Sequence, residues 1–289
     1  MKAPPKPFRH TWKFMEGDST SAAFIYGTAW KEDATTELVK TAVRAGFRAI
    51  DTANQPFHYQ EPLVGEALKA LAGEGFTRDS LFLQTKFTPL DGHDHRVPYD
   101  PDQPLAGQLS QSFESSLRHL NTDYLDSYLL HGPYTSRGLS PSDWEVWGAI
   151  EEIQRSGRAR IIGISNVNAE QVAMLATKAR IKPMVVQNRC YAKRGWDRQV
   201  RQVCREFGIT YQGFSLLTAN RNAVNHPIVL SIAKRTGVNP EQVIFRFAMQ
   251  VGMVPLTGTK SLTHMKEDFR AYDIRLTDEE VALIESLEG

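Results

Sequence analysis

The chain has 289 residues, and 34 Lys and Arg residues nearly balance 33 Asp and Glu residues, so the net charge is +1. This balance excludes the strongly basic surface that attracts nucleic acids or acidic membranes, and we expect neither as a partner. The two cysteines, Cys190 and Cys204, are too few for a disulfide framework and lack metal-ligand spacing. They indicate reduced thiols in a cytoplasmic protein.

We expect no targeting signal in the N-terminal segment. Residues 1–7 lack the apolar region of a secretion signal, and no run of about 20 apolar residues follows, so we expect neither secretion nor a membrane span. The length suits a single domain over residues 1–289. Residues 1–21 are Pro-rich and then polar, and we expect an N-terminal cap or a poorly ordered segment there.

From residue 23 onward, short apolar runs alternate with helical patterns. The apolar runs predict eight strands, over residues 23–26, 47–51, 81–86, 124–130, 159–164, 184–186, 209–214 and 253–256. The helical patterns predict helices over residues 33–45, 62–72, 102–120, 140–156, 168–178, 197–207, 227–236 and 240–250, and a last one from about residue 277. An unusually long loop, residues 87–101, follows the third strand.

The strand composition favours a closed sheet. The predicted strands are nearly all apolar, as strands are when both of their faces are covered. Eight strand and helix units most simply close into a (β/α)8 TIM barrel, which is an α/β fold. An open doubly wound sheet is the alternative, but no strand leads into the Gly-x-Gly-x-x-Gly turn of that fold.

Three ionisable residues follow neighbouring strands of the predicted barrel. Asp51 ends the second strand, Lys86 ends the third, and His131 follows the fourth. Because barrel chemistry gathers at the carboxyl ends of the strands, we expect these side chains to lie within reach of one another. Tyr59 lies between Asp51 and Lys86 in the sequence, and we expect it to converge with them.

A set of short motifs occurs in an order that is typical of one enzyme family. They are Gly-Thr-Ala-Trp (27–30), Ala-Ile-Asp-Thr-Ala (49–53), Val-Gly-Glu-Ala-Leu (64–68), Thr-Lys (85–86), Leu-His (130–131), Ile-Gly-Ile-Ser-Asn-Val (162–167) and Pro-Leu-Thr-Gly-Thr-Lys (255–260). With these motifs the chain resembles the aldo-keto reductases. The resemblance implies a (β/α)8 barrel that transfers hydride reversibly between NAD(P)H and a small carbonyl compound.

The same resemblance implies roles for four residues. Tyr59 would be the general acid, Lys86 and Asp51 its tuning pair, and His131 the group that orients the carbonyl. A neighbouring ammonium would lower the phenol pKa from its ordinary value near 10 towards the working pH. The chain departs from the family around Tyr59, because the span from Asp51 to Tyr59 is longer than usual and kinked by a Pro, and Tyr59 stands one residue nearer to Gly65 than expected. His58 or water is therefore the alternative acid, with Tyr59 as an aromatic cover of the pocket.

The resemblance also implies a nicotinamide cofactor site. Ser165, Asn166 and Gln187 would hydrogen-bond the nicotinamide amide, and Phe214 would stack on its ring, although Phe214 also fits a core position. Further contacts are implied for Thr28, Ser215, Leu217, Gly258, Thr259 and Lys260. His264 stands where the relatives that select NADP carry an Arg, and Asp268 replaces an Asn beside the adenine. We expect NADPH, with NADH as the alternative.

The substrate pocket is expected to be open and aromatic. Its predicted walls are Trp30, Phe57, His58 and Tyr134, and the long loop with Tyr99 is expected to shape its mouth. Residues 91–95 of that loop contain metal-ligand types, but no regular structure fixes further ligands, so we expect a solvated loop and no metal. The chain stops soon after its last predicted helix, so we expect no long C-terminal tail. We expect a monomer or a small homo-oligomer.

Two other functions fit a barrel of this kind. One is a nicotinamide-binding regulatory or scaffold subunit without significant turnover, which the full set of four catalytic residue types disfavours. The other is non-redox chemistry such as that of an aldolase or dehydratase, with Lys86 as a Schiff-base lysine. We expect Asp51 to keep Lys86 charged and poorly nucleophilic, which disfavours this second alternative.

Overall fold

Eight parallel strands close into a barrel in sequence order, as the sequence predicts. The structure, a computed structural model, describes residues 24–287. The strands are β1 (Ile25–Gly27), β2 (Ala49–Asp51), β3 (Phe82–Phe87), β4 (Leu125–Leu130), β5 (Ala159–Ser165), β6 (Val185–Arg189), β7 (Thr210–Phe214) and β8 (Met253–Thr257). The barrel is closed by β1 and β8, where Ile25 is opposite Leu256.

Eleven α-helices surround this barrel in the described part of the chain. They are α1 (Thr35–Ala45), α2 (Glu61–Gly73), α3 (Leu105–His119), α4 (Pro141–Arg155), α5 (Ala169–Lys178), α6 (Arg198–Phe207), α7 (Arg221–Val224), α8 (Pro227–Thr236), α9 (Pro240–Gln250), α10 (Leu262–Asp268) and α11 (Asp278–Glu285). Capping boxes begin several of them, as at Ser140 and Asp143 for α4. None of the described helices has both the length and the apolar composition to cross a bilayer.

The predicted elements differ from the observed ones mainly at their ends. The helix predicted over residues 102–120 begins only at Leu105, because residues 100–103 form a turn around Asp100, whose carboxylate accepts the Asp102 N–H at 3.0 Å. The sequence prediction missed α7, α10 and several 3₁₀ segments, the longest of which is Ala192–Asp197. All of these are short elements within the connections between longer ones. The cap predicted for residues 1–21 lies outside the described residues.

The two faces of the strands pack differently. Outward side chains such as Tyr26, Ile50 and Leu83 join the large apolar cluster between strands and helices. A second cluster contains Ile25, Ala49, Phe82, Leu129, Ile161 and Val185. Because side chains alternate along a strand, Ala49 shares its face with Asp51, and Phe82 shares its face with Gln84. The barrel interior is therefore apolar at one level and polar at the next level towards the carboxyl ends.

One glycine sets the distance between two helices beside the site. A Cβ atom added to Gly65 in α2 would lie 1.8 Å from the carbonyl oxygen of His119, at the end of α3. Only a residue without a side chain permits this approach. The contact holds α2, which follows the Tyr59 loop, against α3.

Candidate active site

Asp51 and Lys86 form a buried ion pair, as the sequence predicts. The Lys86 Nζ donates to both carboxylate oxygens of Asp51 at 2.7 Å and to the Thr52 carbonyl at 2.8 Å. Burial lowers the pKa of Lys86, and the Asp51 carboxylate opposes that change. Because three acceptors surround the nitrogen, they favour the protonated amine. A Schiff base would lose at least two of these three hydrogen bonds, because an iminium nitrogen carries a single N–H.

Tyr59 is positioned by the loop between β2 and α2. The Asn54 amide donates to the Ser112 carbonyl at 3.0 Å, and the Gln55 amide donates to the Gly92 carbonyl at 2.5 Å. The Tyr59 N–H closes a turn onto the Gln55 carbonyl at 3.0 Å. These anchors accommodate the long span between Asp51 and Tyr59, because two buried amides replace the regular structure that this span lacks.

The Tyr59 ring lies between the lysine and the histidine. Lys86 Nζ is 5.4 Å from the ring centroid of Tyr59, and the ring centroid of His131 is 6.0 Å from it. The four side chains expected to converge therefore meet at the carboxyl end of the barrel.

The pKa of Tyr59 is raised rather than lowered, contrary to the sequence-based expectation. Burial is the main cause, the Asp51 carboxylate adds to it, and only the Arg189 guanidinium opposes it. The physical reason is that the buried surroundings disfavour the charged phenolate, and the Asp51 carboxylate disfavours it further. Tyr59 is consequently a phenol, and a proton donor, at neutral pH.

His131 is held in its neutral form. Its Nδ1 lies 2.7 Å from the Thr88 hydroxyl, and its backbone carbonyl accepts from the Asn166 amide at 2.8 Å. Burial and the nearby Lys86 charge lower its pKa well below 6.5. When Thr88 donates to Nδ1, the proton is on Nε2, which can then donate to a carbonyl oxygen. The sequence prediction did not include Thr88, which follows β3 directly.

His58, the alternative acid, belongs to a different cluster. Its Nδ1 lies 2.7 Å from the Gln55 side-chain oxygen, and its ring centroid is 4.1 Å from Trp30 and 4.3 Å from Phe57. Trp30 and Phe57 are exposed. His58 thus packs in an aromatic cluster at the mouth, whereas Tyr59 packs beside Lys86.

A glutamine brace, formed by Gln84, Gln187 and Gln212, crosses the barrel interior below Tyr59. Gln84 and Gln187 both donate to Asp51 Oδ1, at 2.7 and 3.0 Å, and both donate to the Gln212 oxygen, at 2.8 and 2.9 Å. All three side chains are buried. The NH₂ group of Gln187 is therefore already used, and this residue can offer a ligand only its oxygen.

The sequence prediction missed the bracing role of these residues. A signal existed, because Gln84 follows the apolar run of residues 81–83 and Gln212 lies between Tyr211 and Gly213 in a buried strand, and a buried amide requires partners. The prediction considered only the residues just past each strand, so it included Gln187 but neither of the other two.

A groove of about 2170 Å³ runs along the carboxyl ends of the strands. Its lining contains most of the predicted cofactor residues, namely Ser165, Asn166, Gln187, Phe214, Ser215, Leu217, Gly258, Thr259, Lys260, His264 and Asp268. Trp30 and His58 also line it, beside Tyr59 and His131. One continuous depression therefore joins the ionisable cluster to the loop after β8.

Four residues that were predicted to line the cofactor site or the substrate pocket do not line the groove. Thr28 is buried, and its hydroxyl donates to the Asp51 carbonyl at 3.0 Å, so it supports the β2 backbone instead of lining the groove. Tyr134 and Phe57 are not lining residues, and the Tyr134 N–H donates to Asp143 at 2.8 Å. Tyr99 was expected to shape the mouth, but it is buried and its hydroxyl donates to the Thr88 carbonyl at 2.9 Å.

The long loop after β3 contains a short 3₁₀ turn, Leu90–Gly92. Elsewhere in the loop, Asp94 pairs with Arg96, and His93 Nε2 lies 3.1 Å from the Thr88 carbonyl. Across residues 24–287, no three His, Cys, Asp or Glu side chains gather in a way that could hold a metal ion. The loop supports Thr88, the partner of His131.

Two lysines bring positive charge to the groove near β1 and β8. Lys31 is 5% exposed, and its ammonium donates to the Gly258 carbonyl. Burial, and then repulsion by Lys260, lowers the pKa of Lys31 to about 8. The sequence prediction included Lys260 but not Lys31, although Lys31 directly follows the first motif.

Asp268 lies at the end of α10, within the same part of the groove. It is 3% exposed and accepts from the Thr257 hydroxyl at 3.0 Å. Burial raises its pKa to about 7, and the neighbouring Glu241 and Glu267 charges add to the rise. Near neutral pH its carboxyl group is therefore divided between the charged and neutral forms.

A phenol beside a buried ion pair and a neutral imidazole, next to a long ligand groove, defines an oxidoreductase of the barrel class. The model of the aldo/keto reductase family matches residues 20–288. The chain belongs to this family.

Individual relatives agree with that assignment. The uncharacterized oxidoreductase YtbE of Bacillus subtilis is 30% identical over 250 residues, which cover 86% of this chain and 82% of the relative. The glyoxal reductase of the same organism is 30% identical over 252 residues, covering 87% and 83%. The crystal structure of an aldo/keto reductase from Brucella melitensis superposes with a TM-score of 0.76 at 26% identity, covering 91% of this chain and 94% of that one.

Proposed function

We propose that this protein reduces aldehydes or ketones with NADPH and that Tyr59 delivers the proton. The observation that carries the proposal is the position of the Tyr59 ring, between Lys86 at 5.4 Å and His131 at 6.0 Å, where the groove meets the barrel mouth. No other phenol of the described residues contacts both of these groups in this way.

The groove fits a nicotinamide dinucleotide by its chemistry. Ser165, Asn166 and the free oxygen of Gln187 offer polar contacts for an amide, and Phe214 offers an aromatic face. Lys31 and Lys260 supply the positive charge that a diphosphate requires. When bound, the reduced nicotinamide supplies the hydride.

The residues of the mouth would act on the carbonyl group. As negative charge develops on the carbonyl oxygen, Tyr59 can donate its proton, and general acid catalysis of this kind contributes about 10² to 10⁴ in rate. His131 Nε2–H would orient the same oxygen. Asp51 holds the Lys86 ammonium next to the phenol, where it stabilises the phenolate that remains.

The choice between NADPH and NADH depends on charges near α10. His264 and Lys260 favour a 2′-phosphate, whereas Glu241 and Glu267 line the same groove and oppose it. We infer that the protein prefers NADPH to NADH and that this preference is moderate. The relative from Bacillus subtilis is named for glyoxal, a small dicarbonyl, and the likeness supports small carbonyl compounds as substrates here.

We infer the remaining properties from composition and burial. Both cysteines are buried and unpaired, which suits a reducing cytoplasm. A net charge of +1 gives no reason to expect binding to nucleic acid. We propose a single domain that is a monomer or a small homo-oligomer, and light scattering after size-exclusion chromatography measures that state.

The test is the oxidation of NADPH at 340 nm with a panel of aldehydes and ketones. Replacing Tyr59 by Phe should lower kcat by about 10²- to 10⁴-fold with little change in the KM for NADPH, because only the proton is removed. His58→Asn is the matched control and should retain most of the turnover. Near-normal turnover in Tyr59→Phe, with loss in His58→Asn, would make His58 the acid. Cofactor binding without turnover on any substrate would favour the scaffold alternative.

A further inference from the structure

Arg189 lies at the mouth on the inner side of β6. The side chain of Gln187, two residues earlier, reaches Asp51 inside the barrel. Because side chains alternate along a strand, Arg189 projects from the same side, about 7 Å closer to the carboxyl end. It lines the groove together with Tyr59 and His131. Its backbone pairs with Phe214 of β7.

The guanidinium contacts only uncharged groups in the described part of the chain. Its Nε donates to the Ser215 hydroxyl at 3.3 Å, and its Nη1 donates to the Tyr191 hydroxyl at 3.4 Å. Its Cζ is 5.8 Å from the Phe214 ring centroid. No carboxylate of residues 24–287 lies within 4.0 Å of it, whereas Arg44, Arg158 and Arg201, among others, each pair with a Glu.

The charge of Arg189 acts on the same part of the groove as the acid. It is the cation that partly offsets the rise in the Tyr59 pKa, so the two groups are near enough to interact. The two lysines of the groove, Lys31 and Lys260, lie near β1 and β8. A second region of positive charge therefore exists beside Tyr59, apart from the lysine pair.

We propose that Arg189 binds a carboxylate of the substrate, so that the preferred substrates are aldehydes or ketones that carry a carboxylate group. The proposal rests on the proposed carbonyl reduction. A guanidinium presents N–H donors in a planar fork that matches two carboxylate oxygens, and it is weakly hydrated, so it suits such a contact. The indole of Trp30 would cover the apolar body of the substrate.

The experiment compares 4-formylbenzoate with its methyl ester, which has the same aldehyde but no charge. Wild-type protein should show the higher kcat/KM with the acid. In Arg189→Met the ratio of acid to ester should fall by about 10- to 100-fold, the loss expected for a charged hydrogen-bond partner. Arg221→Met removes a charge from the same groove and should leave that ratio unchanged. Arg189→Lys keeps the charge without the fork and should retain part of the preference.

Other results would overturn the proposal. Equal losses with acid and ester in Arg189→Met would mean that Arg189 acts on Tyr59, and a rise in the KM for NADPH alone would mean that it binds the cofactor. Reduction of the ester without any preference for the acid would refute this inference and leave the proposed function intact. The proposed function itself would be refuted if wild-type protein oxidised NADPH neither with these two aldehydes nor with any compound of the wider panel.

Discussion

Tyr59 and His131 both occur in the protonation state that carbonyl reduction needs. Burial raises the pKa of the phenol above 10 and lowers that of the imidazole well below 6.5. Burial disfavours the charged form of either group. A phenol becomes charged by losing a proton and an imidazole by gaining one, so the same burial keeps both groups neutral.

This leads to a prediction about pH. Reduction should be nearly independent of pH between about 6 and 8, because Tyr59 stays protonated and His131 stays neutral over that range. Oxidation of the corresponding alcohol needs the phenolate and should rise with pH, by up to about tenfold per unit, above neutrality. Measurement of kcat in both directions tests this. A loss of reduction below about pH 6.5 would instead show that His131 becomes protonated.

Asp268 leads to a second prediction, on stability. Its folded pKa of about 7 lies above the ordinary 3.8, so its favourable contribution is complete below pH 3.8 and is lost as pH rises through 7. Between pH 5 and pH 8 the loss is about 3 kcal/mol. Asp268→Asn keeps an acceptor for Thr257 without the charge, and its free energy of unfolding should fall less over this interval. Urea unfolding of both proteins at the two pH values measures the difference, and parallel curves would contradict it.

Which site residues can be predicted from sequence depends on where they stand in a strand. Asp51, Lys86 and His131 end or directly follow strands, so the barrel geometry alone brings them together. Gln84 and Gln212 lie within strands, and which amide they meet depends on the register and diameter of the closed barrel. That information exists only in the folded chain.

At the level of elements, the glutamine brace joins β3, β6 and β7 to the carboxylate at the end of β2. Gln212→Met should lower the free energy of unfolding by about 1 to 3 kcal/mol, because the amides of Gln84 and Gln187 lose a shared acceptor. We also expect kcat to fall while the KM for NADPH stays near its normal value, since Asp51 loses part of its support. Gln202→Met, on the exposed surface of α6, is the control. Unchanged stability and kcat in Gln212→Met would show that the brace is dispensable.

Two glycines of α2 lead to opposite predictions. Gly65→Ala places a methyl group against the His119 carbonyl and should destabilise the protein by about 1 to 3 kcal/mol or more. An added Cβ at Gly73, in the last turn of the same helix, would meet nothing within 4 Å. Gly73→Ala should therefore be neutral or stabilise by up to about 1 kcal/mol. Thermal unfolding of both variants tests this, and equal effects would contradict the close approach of α2 to α3.

The helices and strands that the sequence predicts best are those with a clear beginning and end. Capping residues such as Ser140 and Thr277 and terminal glycines such as Gly208 identify helix ends by local chemistry. The short helices α7 and α10 contain too few residues for an apolar period to be visible. They form where the chain passes over the barrel mouth, so tertiary contacts determine them.

For the whole molecule, the groove reaches from β5 to β1 through the barrel closure, so a bound dinucleotide would contact elements that are far apart in sequence. NADPH at about 100 times its Kd should add about 2.7 kcal/mol to the free energy of unfolding. A chain of this size should then melt roughly 5 °C higher. Lys31→Met should reduce this shift, and Lys40→Met, on α1 and paired with Glu37, should not. If NADPH raised the melting temperature of Lys31→Met as much as that of the wild-type protein, Lys31 would not be a cofactor-binding residue.

The overall architecture could be predicted because eight apolar runs of similar spacing admit few arrangements. The closure of β1 onto β8 follows from that count. Most of the predicted cofactor residues line the groove, but Lys31 and Arg189 were not predicted to do so, because no local pattern specifies that their side chains line it.

The brace beneath the mouth consists only of carboxamides, and a carboxamide neither binds nor releases a proton in any aqueous buffer in which a protein survives. A scaffold of charged groups in the same place would shift whenever one of its members titrated or attracted a counterion. The three amides therefore keep the same charge at every pH at which the fold survives, and neither Gln84 nor Gln187 changes its hold on Asp51 by titrating.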